Sequence, residues 1–280
     1  PPAFGRALTV IVRMAGGLDA LVIDGTVEIL ESHIDIDGTL SEVMTEPSFG
    51  GEVTLSNDNF SGLLEALGLM AGDAPQIFVA PVVVEATLDG TMSDFEMEVK
   101  TSLSEADARV SGRFQEVADT PRLNLDGEFS HPNLARLLRS ADLLDNGAPD
   151  ALAAPVTMSG SAEGSLDGLE ISTKLGVAGG DIAANGRLEG LPGSVSVSLV
   201  TELNHPDLAG LIGGFGLVVP ARKMNGPLTV GARVNGDAKE ITALNLSANL
   251  GGSSVLGSLS LALEGVRPKL GIDLTTGPIG

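Results

Sequence analysis

Cysteine, tryptophan and tyrosine are absent from these 280 residues, and the eight aromatic side chains are all phenylalanine. Without thiols there is no disulfide scaffold, no cysteine nucleophile and no thiolate metal site. Without tryptophan and tyrosine there are no aromatic sugar platforms. Core filling therefore falls to Val, Leu, Ile, Ala and Met, which suits a thin, regular layer. Basic residues are scarce as well: 16 Lys and Arg stand against 37 Asp and Glu, for a net charge of −21. A field of that sign repels phosphate backbones, so nucleic acid is not an expected partner. No Lys/Arg cluster offers itself to anionic headgroups. Long apolar runs are missing too. The stretch from Leu208 to Ala221 carries four glycines and a proline and falls short of the ~18 residues that a membrane-spanning helix needs. The opening Pro1-Pro2-Ala3-Phe4-Gly5 has neither the basic flank nor the cleavage site of a signal peptide.

What the chain does have is a repeat. Ala7–Met14 aligns with Pro81–Leu88 and Pro155–Ala162 at a constant offset (81 − 7 = 155 − 81 = 74), and with Pro227–Val234 at a slightly shorter one (227 − 155 = 72). Leu63-Leu64 recurs as Leu137-Leu138 and Leu211-Ile212 with the same period, and Gly38, Gly112, Gly186 and, after a deletion, Gly257 keep the phase. Units of this length stack because one alone cannot bury its apolar face. The expected organisation is repeat 1 over 7–80, repeat 2 over 81–154, repeat 3 over 155–226 and a partial repeat 4 over 227–280, cut from a longer array with any anchor outside it.

Within the second unit, Asp94 to Lys100 alternates strictly, with Phe95, Met97 and Val99 opposed by Asp94, Glu96, Glu98 and Lys100. Period two is the mark of a half-buried strand. Ala108, Val110, Gly112 and Phe114 repeat the pattern against Arg109, Ser111 and Arg113, and Leu123, Leu125, Gly127 and Phe129 do so again. Leu88-Asp89-Gly90 and the Asp119-Thr120-Pro121 cluster read as turns. The third unit follows suit through Ile171, Ile182, Leu188, Val197 and Leu199. The fourth retains Leu244 and Leu246, then Val255 to Leu261, then Leu270, Ile272 and Leu274. After each fourth strand the period changes. His131-Pro132-Asn133-Leu134 and His205-Pro206-Asp207-Leu208 predict short helices near 133–142 and 207–214, with a counterpart near 60–68, proline at the first helical position and the polar residue before it as cap. The loops after the second and third helices, 144–154 and 218–226, differ, the latter holding Arg222 and Lys223. The fold class expected is mainly β: an elongated, groove- or solenoid-like array of antiparallel repeats, with about four strands and one short helix per unit. Glycine at one strand position in each unit predicts close approach of another backbone.

Little here points to catalysis. His131 and His205 sit at equivalent helix starts and read as structural. His33 lies in a strand without a sequence neighbour to act with, and no histidine pair has metal spacing. Asp35-Ile36-Asp37-Gly38 and Leu88-Asp89-Gly90 contain fragments of calcium loops without the full ligand series. There is no Gly-x-Ser-x-Gly elbow, and the glycines from 210 to 216 lack the lysine of a phosphate loop. Thirty-seven carboxylates single out no acid–base pair. No enzyme activity, cofactor or metal is expected.

The alternating strands carrying Asp37-Gly38-Thr39-Leu40 and Asn185-Gly186-Arg187-Leu188, with helices opening His-Pro-Asn/Asp-Leu-Ala-x-Leu, resemble the AsmA-like family of bacterial envelope proteins. That resemblance covers nearly the whole chain. It implies an internal stretch of a periplasmic protein held at the inner membrane by a segment not present here. Repeated β-groove units would form a bridge for phospholipids toward the outer membrane, with other envelope proteins as further partners. Apolar residues that would line such a groove are Phe95, Met97, Val99, Val110, Phe114, Ile171, Ile182, Leu188, Val197 and Leu199. Each could instead pack beneath its unit's own helix. A second reading is an acidic structural or adhesive repeat protein of the cell surface, stabilised by calcium.

Overall fold

The computed structural model describes residues 8–17, 19–66, 75–117, 120–144, 147, 149–191, 194–216, 226–237, 239–250, 253–262 and 269–276. The expectations for residues 1–7, Asp119 and the loop holding Arg222 and Lys223 lie outside them. The chain divides into two compact units. One is Pro1–Pro132 with Arg136–Asn146, and the other is Asn133–Ala135 with Gly147–Gly280.

The protein is mainly β and antiparallel. In the first unit β1 (Leu8–Gly16), β2 (Ala20–Ile29), β3 (Ser32–Ser41) and β4 (Ser48–Asn57) lead into helix α1 (Phe60–Ala66). Then come β5 (Val82–Thr91), β6 (Asp94–Leu103), β7 (Ala106–Gln115) and β8 (Arg122–His131), followed by α2 (Leu134–Ser140). In the second unit β9 (Val156–Ser165), β10 (Gly168–Val177), β11 (Gly180–Glu189) and β12 (Ser196–His205) precede α3 (Leu208–Gly214). β13 (Leu228–Asp237), β14 (Glu240–Leu250), β15 (Ser253–Ala262) and β16 (Lys269–Thr276) complete it. Within each unit the strands lie in sequence order, every neighbour antiparallel, as short connections favour. The helices begin one repeat period apart, at Phe60, Leu134 and Leu208, as the leucine spacing predicts.

The same spacing governs the backbone. Leu30-Glu31, Ser104-Glu105 and Ala178-Gly179 all have positive φ, between 51° and 82°, and join β2 to β3, β6 to β7 and β10 to β11 as two-residue turns. Two consecutive left-handed residues define the type I′ turn, whose twist matches that of the flanking strands. Gly112 and Gly186 are places where an added Cβ would run into the carbonyl oxygens of Asn124 and Ser198. This is the close backbone approach expected of the repeated glycine.

Four readings are corrected. Leu88-Asp89-Gly90 lies inside β5, and the turn falls at Met92-Ser93. Gly90 has φ 137°, a conformation open to glycine, and the Phe95 backbone and Cβ stand within 3.0 Å of where its own Cβ would be. The helix prolines, Pro132 and Pro206, stand before the cap residue and not at the first helical position. Asp207 caps α3 by accepting from the Gly210 N–H at 3.0 Å, and Asn59 does the same for α1 from Gly62 at 3.1 Å. In the fourth repeat a bulge interrupts β14 at Leu244-Asn245, with Asn245 at φ 52°. The extra residue reverses the alternation, so Leu246 faces the row of Gly257 while Leu244 is 42% exposed. It also moves the glycine row: Gly38, Gly112 and Gly186 are each the seventh residue of their strand, and in β15 that place belongs to Leu259, not Gly257.

The core sits at the strand ends. Leu30, Leu63, Val82, Ala106, Ala135, Val156 and Leu208 are buried, and all lie in helices or at the strand ends and turn beside them. Leu169, at the far end of β10, is the one other buried apolar residue among those described. Leu30 and Leu63 pack with Ile29 and Phe60. The helices thus cap the ends of the strands.

Candidate functional site

Residues paired across an antiparallel ladder share a face, so the register states which side chains stand together. In the first unit one row runs Leu40, Phe49, Gly90, Phe95, Phe114, Leu123. The next runs Gly38, Gly51, Leu88, Met97, Gly112, Leu125, and a third runs Ile36, Val53, Ala86, Val99, Val110, Gly127. Phe95 stacks on Phe114 with ring centroids 5.0 Å apart and meets Phe49 at 6.1 Å. The Phe49–Phe95 contact passes over Gly90 of the intervening strand, whose missing side chain leaves room for the rings. In the second unit Leu169, Leu188 and Val197 form one row, and Ile171, Gly186 and Leu199 form another. Ile182 lies between Leu175 and Leu203.

All ten expected lining residues therefore stand on the apolar face of their own unit. None is buried: nine are half-buried and Val110 is 38% exposed. Their cover comes from neighbours in the same layer. Among the described residues no helix packs across the middle of either face. An eight-strand face spans roughly 34 Å by 33 Å, on the order of 1,100 Å². The largest apolar patch on a typical monomer is about 300–600 Å². Phe49, Val53 and Leu88 belong to this surface and were not singled out from the sequence, although Phe49 stands one period before Leu123 and the repeat phase marks it.

The opposite face is charged. Arg113 grips Asp94 with both arms, Nε to Oδ1 and an Nη to Oδ2 at 2.7 Å each. Glu98 takes Lys100 at 2.7 Å and Arg109 at 2.9 Å. The hydrogen bonds from Arg113 hold the Asp94 carboxyl below the ordinary range, and those from Lys100 and then Arg109 do the same for Glu98. Asp237 is lowered by the Lys239 and Glu240 backbone N–H groups. These exposed pairs fix which face meets water more than they add stability.

Candidates for chemistry turn out to be tied down. His205 is 7% exposed. Its Nδ1 accepts from the Asp207 N–H at 3.2 Å, which leaves Nε2 to donate to the Ala178 carbonyl at 3.0 Å. Asn57, two periods earlier, does the same work: Oδ1 accepts from Asn59 N–H at 2.8 Å and Nδ2 donates to the Leu30 carbonyl at 3.1 Å. His131 holds the place between them, 2% exposed. His33 has close company after all, with Nε2 3.0 Å from Asp35 Oδ2. Asp35 also accepts from the Thr26 hydroxyl at 3.0 Å. Among the described residues no group of three or more His, Asp or Glu side chains could hold a metal ion, and no helix is long and apolar enough to cross a membrane.

Comparison with known proteins returns no matching family model, no matching curated protein and no matching solved structure.

Proposed function

We propose that this protein is a non-enzymatic carrier surface for phospholipid acyl chains, a segment of an envelope protein that shields lipid in transit through the periplasm between inner and outer membranes. One observation carries the reading: each unit presents a face of aligned aliphatic and phenylalanine side chains with no second layer over its middle among the described residues. Every CH₂ kept from water there is worth about 0.8 kcal/mol. Continuous apolar rows let a chain slide as well as bind. The resemblance of the helix openings and Asp-Gly-x-Leu strands to AsmA-like proteins supports the same use, and the charged reverse face keeps the sheet wetted on one side. Anchoring to the inner membrane would fall to a segment outside this sequence.

Native extraction of the purified protein followed by lipid mass spectrometry tests this. The expected result is stoichiometric phospholipid, cross-linking to photoreactive groups placed at Val99 or Val197 and not at Glu96. A lipid-free protein whose melting temperature rises sharply in millimolar calcium would support the structural or adhesive reading instead.

A further inference from the structure

The reverse face of the second unit holds a hollow of about 470 Å³ over β12, β13 and β14, with Gly231 at its floor. The register explains its shape. Gly231 pairs with Glu202 on one side and Ser247 on the other, and Thr229 and Arg233 flank it along β13 on the same face. Glycine in a central strand costs packing and entropy, and here the backbone has no need of it. Its φ lies outside the left-handed region, and an added Cβ would meet nothing nearer than the Thr201 carbonyl oxygen at 4.0 Å. Gly112 and Gly186 are the opposite case, since a carbonyl oxygen of the next strand already occupies that space. The first three repeats place Ile11, Glu85 and Ser159 at this position, and Glu85 stands between Thr54 and Lys100. The fourth repeat alone leaves the place empty.

Two further departures from the repeat meet at the same spot. The bulge makes β14 eleven residues long against ten in β6 and β10, and Asn245, held at φ 52°, joins the rim of the hollow. Bulges commonly re-aim a side chain beside a site. The other departure is Arg233, which has no carboxylate partner among the described residues, unlike Arg109, Arg113 and Arg187. Glu202 stands diagonally opposite, the Cα atoms about 7–8 Å apart, and accepts instead from Asn204 Nδ2 at 3.0 Å. Thr229, Asn245, Ser247 and Asn249 likewise make no side-chain hydrogen bond among the described residues. Free donors and acceptors thus surround a floor that carries no side chain.

We infer that this hollow is a binding site for a sugar acid, a small carboxylate that also carries hydroxyl groups. The Arg233 fork takes the carboxylate through two parallel N–H···O bonds. Asn245 and Asn249 each offer a carbonyl and an NH₂, which neighbouring hydroxyls satisfy as donors and acceptors. Glu202, on the other side of the glycine, accepts from a hydroxyl. Val200, 57% exposed, gives the C–H side of the ring a wall, and the ring lies over Gly231. Charge, not stacking, holds the ligand. A phosphate dianion fits less well, because the hollow has one cation, Glu202 is adjacent and the chain carries −21. The site faces away from Val230 and Val234 of the apolar rows, so it stands independently of the acyl-chain reading.

Titration of the full isotope-labelled chain with glucuronate, acetate, glucose and inorganic phosphate, followed by amide NMR, tests the assignment. Glucuronate is expected to shift the Gly231, Arg233 and Asn245 signals saturably, with a Kd of about 1 mM. Acetate should move the same signals more weakly, and glucose and phosphate should leave them in place. No shift with glucuronate well above that concentration overturns the proposal, and so does an equal response to glucose or phosphate. Gly231→Val fills the floor without backbone strain, so binding should vanish while the melting temperature holds or rises. A fall in melting temperature would mean that the glycine serves the fold, and would reject the argument. Arg233→Gln, at an exposed and unpaired position, should weaken glucuronate by about tenfold or more, and Arg109→Gln in the first unit should not. Equal losses in both variants would be bulk electrostatics, and retained affinity in Arg233→Gln would leave the carboxylate without its partner; either result sinks the site.

Discussion

His205 and Asn57 show one geometric task solved by two chemistries. Each accepts a hydrogen bond from the backbone two residues on and donates to the carbonyl of a left-handed turn residue 27 positions back. Since an amide can do this, His205→Asn should keep the melting temperature within the equivalent of ~1 kcal/mol, while His205→Leu leaves a buried N–H and C=O unpaired and costs about 2–4 kcal/mol by denaturant unfolding. On the charged face, Arg113 holds the Asp94 carboxyl low. A carboxyl depressed in the folded state contributes stability above its unfolded pKa and loses it as pH falls through the folded value. Carboxyl NMR titration should place the Asp94 midpoint below that of an ordinary aspartate, and Arg113→Met should return it to the usual range.

Among the elements, strands and helices were legible where their period was clean. Phe95, Met97 and Val99 against Glu96, Glu98 and Lys100 state both the strand and its buried side, and the leucine doublets at 63, 137 and 211 place the helices. The turns were not legible in the same way. Leu30-Glu31 and Ser104-Glu105 carry none of the Asn-Gly chemistry that marks a type I′ hairpin, so the conformation is imposed by pairing on both sides. Gly90, conversely, looks like a turn and sits in a strand, because aromatic rings from neighbouring strands fill its vacancy. The bulge at Asn245 reverses the pattern mid-strand, which a period-two reading cannot follow. An L-residue held left-handed costs about 1–2 kcal/mol, and asparagine tolerates it better. Ser104→Asn should therefore raise stability by about 0.5–1 kcal/mol, read from the urea midpoint at unchanged slope.

At the scale of the whole molecule the apolar surface was legible as residues but not as a surface. The ten lining residues were expected on one side of their strands, yet whether short helices cover them depends on where a helix of two turns is delivered. Pro132 and Pro206, the latter followed by the Asp207 cap, stand just before helices that start just past the strand ends and leave the sheet centre bare. Val99→Glu distinguishes a working face from a sealed core. On an open face the carboxylate stays hydrated, so the fold should survive with a loss of under ~1 kcal/mol while lipid binding and transfer disappear. In a closed core it would be destabilised by several kcal/mol.

The strictly sequential ladder inside each unit has a consequence for time as well as form. Each strand closes on the strand just before it, so no step of the ladder within a unit closes more than one connection, and loop-closure entropy grows only slowly with the length of that connection. Chains of this kind open strand by strand, the most exposed strands first, as coupled nearest neighbours do. Native-state hydrogen exchange should accordingly be graded: amides of β1 and β16 exchange first and those of β6, β7, β10 and β11 last, with no single protection value shared by a whole unit. Uniform protection across β1 to β7 would mean instead that the sheet opens all at once.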